Sequence, residues 1–135
     1  DLRLLEEMGM LHDIGIFNTD APDADLFGND PYITHISHGE RILSELGLRA
    51  HARAAATHTG IAQEEVRERE LPLPERDHLP ETTEEEILCL ADKYHSKYFD
   101  SLFVERTDEQ VRKHLSQFGE GPVALFERLR KKYVG

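Results

Sequence analysis

Leu2-Arg3-Leu4-Leu5-Glu6-Glu7-Met8-Gly9-Met10-Leu11-His12-Asp13-Ile14-Gly15 is the stretch whose periodicity decides the fold. Leu2, Leu4, Leu5, Met8 and Leu11 recur near helical spacing, and Glu6 and Glu7 fall outside the apolar set. The spacing predicts a helix that ends around His12-Asp13-Ile14-Gly15, with Gly15 as the stop signal. An imidazole and a carboxylate thus sit side by side at a helix end. Neighbours on a helix diverge by about 100°. The two side chains therefore serve one site only if the helix unwinds there or two metals lie close together. Divalent Mn, Fe and Zn accept imidazole together with carboxylate. Taken alone, the pair also fits a partly exposed helix terminus.

Working outward, residues 17–33 carry Asn18, Asp20, Pro22, Asp23, Gly28, Asn29, Asp30 and Pro31, which break regular structure. The expectation is one long loop, and such a loop in a small domain is often functional. A second helix is predicted from about Ser37 to Leu46, with Ser37 and Glu40 at capping-box spacing and Gly47 ending it. Residues 49–58 are alanine-rich and helix-prone, and 61–70 read as a short charged helix. Leu71-Pro72-Leu73-Pro74 and residues 75–80 read as an extended surface segment, because three prolines in nine residues forbid a helix. Thr83 and Glu86 predict a capping box that opens a strong helix to about Tyr98. Thr107 and Gln110 predict another, ended by Gly119, and Gly121-Pro122 starts the last helix with Pro at its first position. No strand pattern competes. The prediction is a single all-α domain over residues 1–135, a helical bundle with one long loop after the His-Asp pair.

The bulk numbers narrow the function. A chain of 135 residues can bury a real core. Its net charge of -11 argues against sequence-independent nucleic-acid binding, which needs Lys and Arg to replace counterions. A small anionic substrate stays open, because a bound metal reverses the local field. The single cysteine, Cys89, allows no intrachain disulfide and lies in the apolar run Ile87-Leu88-Cys89-Leu90-Ala91, which reads as core. A cytoplasmic setting fits that usage. No run of about 18 apolar residues suggests a membrane span.

Met10-Leu11-His12-Asp13-Ile14-Gly15 resembles the defining motif of the HD superfamily of metal-dependent phosphohydrolases, in its HDIG form. In that family a first His lies on the preceding helix, the His-Asp pair follows, many members add further His residues, and a distant Asp completes the set. Asp92, in Leu90-Ala91-Asp92-Lys93-Tyr94, resembles the distant Asp. In His35-Ile36-Ser37-His38-Gly39-Glu40-Arg41-Ile42-Leu43, Gly39 falls four residues after His35, as in many HDIG members. His38 is the competing choice, nearly one turn away. His58, in Ala54-Ala55-Ala56-Thr57-His58-Thr59-Gly60, resembles the next family His, and it also suits a helix C-terminus. His51, His78, His95 and His114 match nothing and read as surface residues, with His95 a weak candidate for supporting Asp92. Leu71-Pro72-Leu73-Pro74-x-Arg76-Asp77-x-Leu79-Pro80, Glu109-Gln110-Val111 and Phe118-Gly119-Glu120 are similar to a bacterial subgroup of HDIG proteins, which extends the likeness over nearly the whole chain.

Two positions depart from the family. Residues 1–11 hold no His, so the expectation is a missing N-terminal helix or an absent ligand. Ile16 stands where many HDIG phosphodiesterases carry Lys, and Lys93 is the best substitute for contacting phosphate. The resemblance implies one or two divalent ions (Mn, Fe, Zn, Ni or Mg) held by His12, Asp13, His35, His58 and Asp92. Asp13 would bridge them and manage a proton, and a metal-activated water would attack phosphorus. The implied partner is a small phosphorylated substrate, a nucleotide among the candidates, with no nucleic acid and no membrane. The alternative is a degenerate HD domain that binds a metal or nucleotide as a regulatory module.

Overall fold

A computed structural model of the chain describes residues 1–97 and 101–135. Among them are seven α-helices: α1 (Leu2–Leu11), α2 (His35–Glu45), α3 (Arg49–Thr57), α4 (Gln63–Glu68), α5 (Thr83–Tyr94), α6 (Asp108–Leu115) and α7 (Glu120–Tyr133). The architecture is predominantly helical, as the periodicity predicted. None of the described helices is long and apolar enough to cross a membrane.

Three small clusters share the core. Met8 of α1 packs with Ala54 of α3 and Leu88 of α5, flanked by Leu4 and Leu5. Leu43 of α2 meets Ala52 and Ala55 of α3, flanked by Leu11 and Ile14. Cys89 and Leu90 of α5 pack with Val111 and Leu115 of α6 and with Phe126 and Leu129 of α7. The alanines of α3 let α1, α2 and α5 approach its backbone closely. Leu2, in contrast, does not join the apolar stripe of α1, being 85% exposed.

The segment 17–33 is not a plain loop. It forms β1 (Thr19–Ala21), β2 (Leu26–Phe27) and β3 (Asp30–Pro31), in the order β2-β1-β3. β1 pairs antiparallel with β2 (Asp20 opposite Phe27) and parallel with β3 (Thr19 opposite Asp30). Strands of two or three residues are too short to show an alternating pattern, so the breakers hid them. Two backbone features close this ribbon. Asp25 takes a left-handed conformation after the 3-10 turn at 22–24. Gly28 lies so close to Asn18 that a Cβ would fall 2.2 Å from its backbone.

Helix starts shift from their expected positions. A 3-10 turn at 32–34 runs directly into α2, so the chain is already helical at His35 and Ser37 lies inside the first turn rather than capping it. Thr82, not Thr83, caps α5: its hydroxyl accepts from Glu85 N–H at 3.2 Å, and Glu85 accepts in return from Thr82 N–H. The helix ends at Tyr94, with His95 extended, and the expected end at Tyr98 lies outside the described residues. The Thr107–Gln110 box opens α6 as predicted. Gly119, with φ +110°, precedes α7, which begins at Glu120 and therefore places Pro122 at its third residue rather than its first. Cys89 is fully buried.

Candidate metal centre

The site lies where α1, α2, α3 and α5 converge, and small residues create the convergence. A Cβ on Gly15 would sit 2.3 Å from the His35 carbonyl and 2.5 Å from the Gly39 nitrogen. A Cβ on Gly39 would in turn sit 3.1 Å from that of Ala55. Gly15 has no left-handed φ among the described positive-φ positions, so its role here is close approach rather than a helix cap. The turn after α1 therefore presses against α2, and α2 against α3. Each of these elements brings a histidine.

The three rings are held in the same way. The Nδ1 of His12 lies 2.7 Å from the Gly9 carbonyl, that of His35 2.6 Å from the Tyr32 carbonyl, and that of His58 2.8 Å from the Ala55 carbonyl. In each case the carbonyl is three residues upstream. A carbonyl only accepts, so each Nδ1 carries a proton and each Nε2 is turned into the site. Donors of this kind fix the ring and its tautomer for metal binding.

The Nε2 atoms meet two carboxylates. Asp13 Oδ2 lies 3.1 Å from His12 Nε2, and Asp13 Oδ1 lies 3.4 Å from Nε2 of both His35 and His58. Asp92 Oδ1 lies 3.5 Å from His12 Nε2. Two trios have donor atoms within 4.8 Å of one another: His12, His58 and Asp92; and Asp13, His35 and His58. His58 belongs to both, and Asp13 turns one oxygen toward each half. His35 and His58 are almost fully buried, at 2% and 1% exposure.

Burial and charge oppose each other here. Burial works against a charged His12, but the Asp13 and Asp92 carboxylates outweigh it and push the ring up to about 10. Burial, and then the His58 ring, push His35 down to about 4, which keeps it neutral and able to donate a lone pair. Burial also disfavours ionised Asp13, yet His12, His58 and Lys97 hold it well below the usual carboxylate range. Asp92 is lowered in the same way, chiefly by His12 against its burial.

The residues fit a divalent cation. His12 Nε2 and Asp13 Oδ1 are buried and accept or donate no hydrogen bond. Nε2 of His35 faces Nε2 of His58 at 3.1 Å. With both Nδ1 protons already on carbonyls, these are two lone pairs pointed at each other. Only a shared proton or a cation relieves that arrangement. A set of imidazole and carboxylate donors suits Mn, Fe, Zn or Ni, and its carboxylates also suit Mg.

The structure therefore brings His12, Asp13, His35, His58 and Asp92 together. His38 lies outside, its Nε2 2.9 Å from Asp30 of β3. Lys93 does not reach the carboxylates; its ammonium donates to the Thr59 carbonyl at 3.1 Å. The lysine at the site is Lys97, with Nζ 2.8 Å from Asp13 Oδ2 and 3.8 Å from Asp92 Oδ1. Those carboxylates raise its basicity against the effect of burial. Sequence reasoning passed over Lys97. Adjacency favoured Lys93, although neighbours on a helix diverge; Lys97 lies beyond the end of α5, where the extended chain can fold back over Asp92. His78 corrects another expectation. It is 1% exposed, with Nε2 on the Pro74 carbonyl at 2.9 Å, in the segment read as surface. His51 is half-buried against Glu7, whereas His95 and His114 are exposed as expected.

A protein-family model described as HD domain matches residues 1–97, which covers α1 to α5 and every residue of this site. No curated protein and no solved structure matches the chain.

Proposed function

The chain belongs to the HD-domain family, and from that premise we propose that it is a metal-dependent phosphohydrolase acting on a small phosphate ester. The supporting observation is the cluster of unsatisfied donors: facing Nε2 atoms on His35 and His58 beside the orphaned Oδ1 of Asp13. With both Nδ1 protons on carbonyls, the facing Nε2 atoms are an arrangement that a cation would complete.

In this reading His12, Asp13, His35, His58 and Asp92 are the residues that would hold one or two divalent ions, with Asp13 shared between the two halves of the site. A bound divalent ion supplies an activated water and neutralises charge on the phosphoryl oxygens. The protein supplies the rest. The carbonyls of Gly9, Tyr32 and Ala55 keep three imidazoles oriented. Asp13, in contact with three imidazoles and a lysine, stays ionised and would orient the attacking water rather than store its proton. Lys97 faces the cavity beside Asp92 and binds substrate phosphate, a role that Ile16 cannot take. Lys93, next along the same cavity, contributes to holding anionic substrate. No side-chain nucleophile is required.

The test is elemental analysis of the purified chain together with hydrolysis of generic phosphomonoesters and phosphodiesters. The expected result is near-stoichiometric metal and chelator-sensitive hydrolysis. Asp13→Ala should lose tight metal binding, because its neighbours cannot replace a shared ligand; unchanged metal content in that variant rules out bridging. The second reading is a regulatory module, favoured by Lys97, whose ammonium already neutralises Asp13 and Asp92 without a metal. A folded chain that takes up no supplied metal would establish that reading instead.

A further inference from the structure

The geometry points to a second anion-binding subsite at the far end of the cavity that opens beside Asp92 and Lys97, so that the substrate is a small phosphate ester with a further anionic group on an apolar body. This rests on the phosphohydrolase reading. The cavity measures about 470 Å³, within the range for small-molecule sites. At the near end stand Tyr32, Asp92 and Lys97. Its apolar lining is Ile61, after α3, together with Val111, Leu115 and Phe118 from the C-terminal part of the chain. These apolar residues give a body of that character somewhere to lie.

Charge sets this cavity apart from the rest of the molecule. The chain carries 27 acidic residues against 16 Lys and Arg. The cavity reverses that balance, with Arg69, Lys93, Lys97 and Arg106 against only Glu65 and Asp92. Both carboxylates already have roles. Asp92 belongs to the metal centre, and Glu65 accepts from the Ala62 N–H at 3.1 Å and pairs with Arg69 at 3.5 Å. Lys93 and Arg106 have no carboxylate within ion-pair distance among the described residues. Two cations without a carboxylate partner are thus concentrated in one cavity of an acidic protein, where they can meet an anion from outside.

These basic groups are positioned rather than loose. Arg69 stacks over the Phe118 ring at 4.6 Å. The Arg106 backbone N–H donates to the Tyr94 carbonyl at 2.8 Å, and its guanidinium donates to the Lys93 carbonyl at 3.4 Å, which ties it to the end of α5. Lys93 is tethered to Thr59. His114 adds a neutral donor, since burial and then the nearby Arg106 and Lys93 charges disfavour its protonation. A guanidinium with free N–H groups suits a carboxylate or a phosphate equally well.

Part of this cavity wall lies outside the family match, which ends at residue 97. Arg106, Val111, His114, Leu115 and Phe118 all follow it. The reacting centre thus belongs to the shared domain, and the distal anion would be met by Arg69 and Lys93 of that domain together with Arg106, just before α6.

The experiment compares two non-hydrolysable probes, 4-carboxyphenylphosphonate and its neutral isostere 4-carbamoylphenylphosphonate. Binding is measured by calorimetry on the full chain, with and without added Mn²⁺. A charge-assisted contact to Arg106 should make the carboxylate probe bind at least about tenfold tighter. Arg106→Gln and Arg69→Gln should each shrink that ratio toward unity. Equal affinities in the wild type, no binding of either probe in both conditions, or a ratio that survives both substitutions would overturn the subsite. Hydrolysis is read separately on the matching phosphate esters. Turnover without a preference keeps the phosphohydrolase reading and removes the subsite; a binding preference without turnover does the reverse.

Discussion

Asp13 is a half-buried carboxylate and Glu86 a buried one, and their surroundings differ in kind. Glu86, on α5, receives Lys132 Nζ and Tyr133 Oη on one oxygen at 2.6 Å each and Arg128 on the other at 2.9 Å. Its hydrogen-bonding capacity is filled from within the fold, and it binds α5 to α7. Asp13 lies among three imidazoles and a lysine, with one oxygen accepting nothing. One region completes its own polar groups and is stable by itself. The other leaves donors facing one another, an arrangement that a cation could complete. Buried charge alone does not distinguish a structural carboxylate from a functional one; satisfaction does.

Breaking the crowded side of this contrast should have the largest effect. Gly15→Ala would drive a methyl into the His35 carbonyl and the Gly39 nitrogen. The expected loss is about 3 kcal/mol of stability, together with loss of metal uptake, read by urea unfolding and metal content. Wild-type stability and full metal content would show that α2 need not approach so closely.

On the satisfied side, Glu86→Gln should destabilise by about 1–2 kcal/mol at neutral pH, discounted for the exposure of its lysine and arginine partners. Burial opposes its charge, but Lys132, Tyr133 and Arg128 win, and the carboxyl is lowered from 4.5 to about 2. A lowered carboxyl stabilises the fold above its ordinary value. That contribution should fade as the pH falls from 4.5 toward about 2, where wild type and variant converge. Metal content should be unchanged. A constant difference across that range would assign the effect to packing instead.

The smallest effect separates two neighbouring histidines. His38→Ala removes a partly exposed contact with Asp30 and should change stability by less than about 1 kcal/mol with metal retained. His35→Ala should lower metal occupancy strongly. The reverse order, read by elemental analysis, would move the ligand to His38.

Sequence carried the helical class through spacing within single elements, and the five residues that converge through their likeness to the ligand order of the HD family. It faltered where geometry depends on junctions. Thr82-Thr83-Glu84-Glu85-Glu86 contains two overlapping capping boxes, Thr82 with Glu85 and Thr83 with Glu86, and spacing cannot choose between them. The choice has consequences, because it turns Glu85 toward Arg53 and Glu86 toward α7. His35 and His38 were likewise separated only by where the 3-10 turn enters α2. Lys97 depends on how the chain leaves α5, and the short strands at 19–31 depend on pairing rather than pattern.

The tether of each ring to a carbonyl on its own segment has a mechanical consequence. His35 moves with α2 and His58 moves with α3, so the gap between their nitrogens is the gap between two helices. That gap is set by Gly39 against Ala55. The pair has the form of a caliper with jaws of fixed shape, and an ion held there would be gauged by how far its bonds pushed the helices apart. Enlarging Ala55 would widen the jaws without touching a ligand, and the chain's ranking of ions would change with the width.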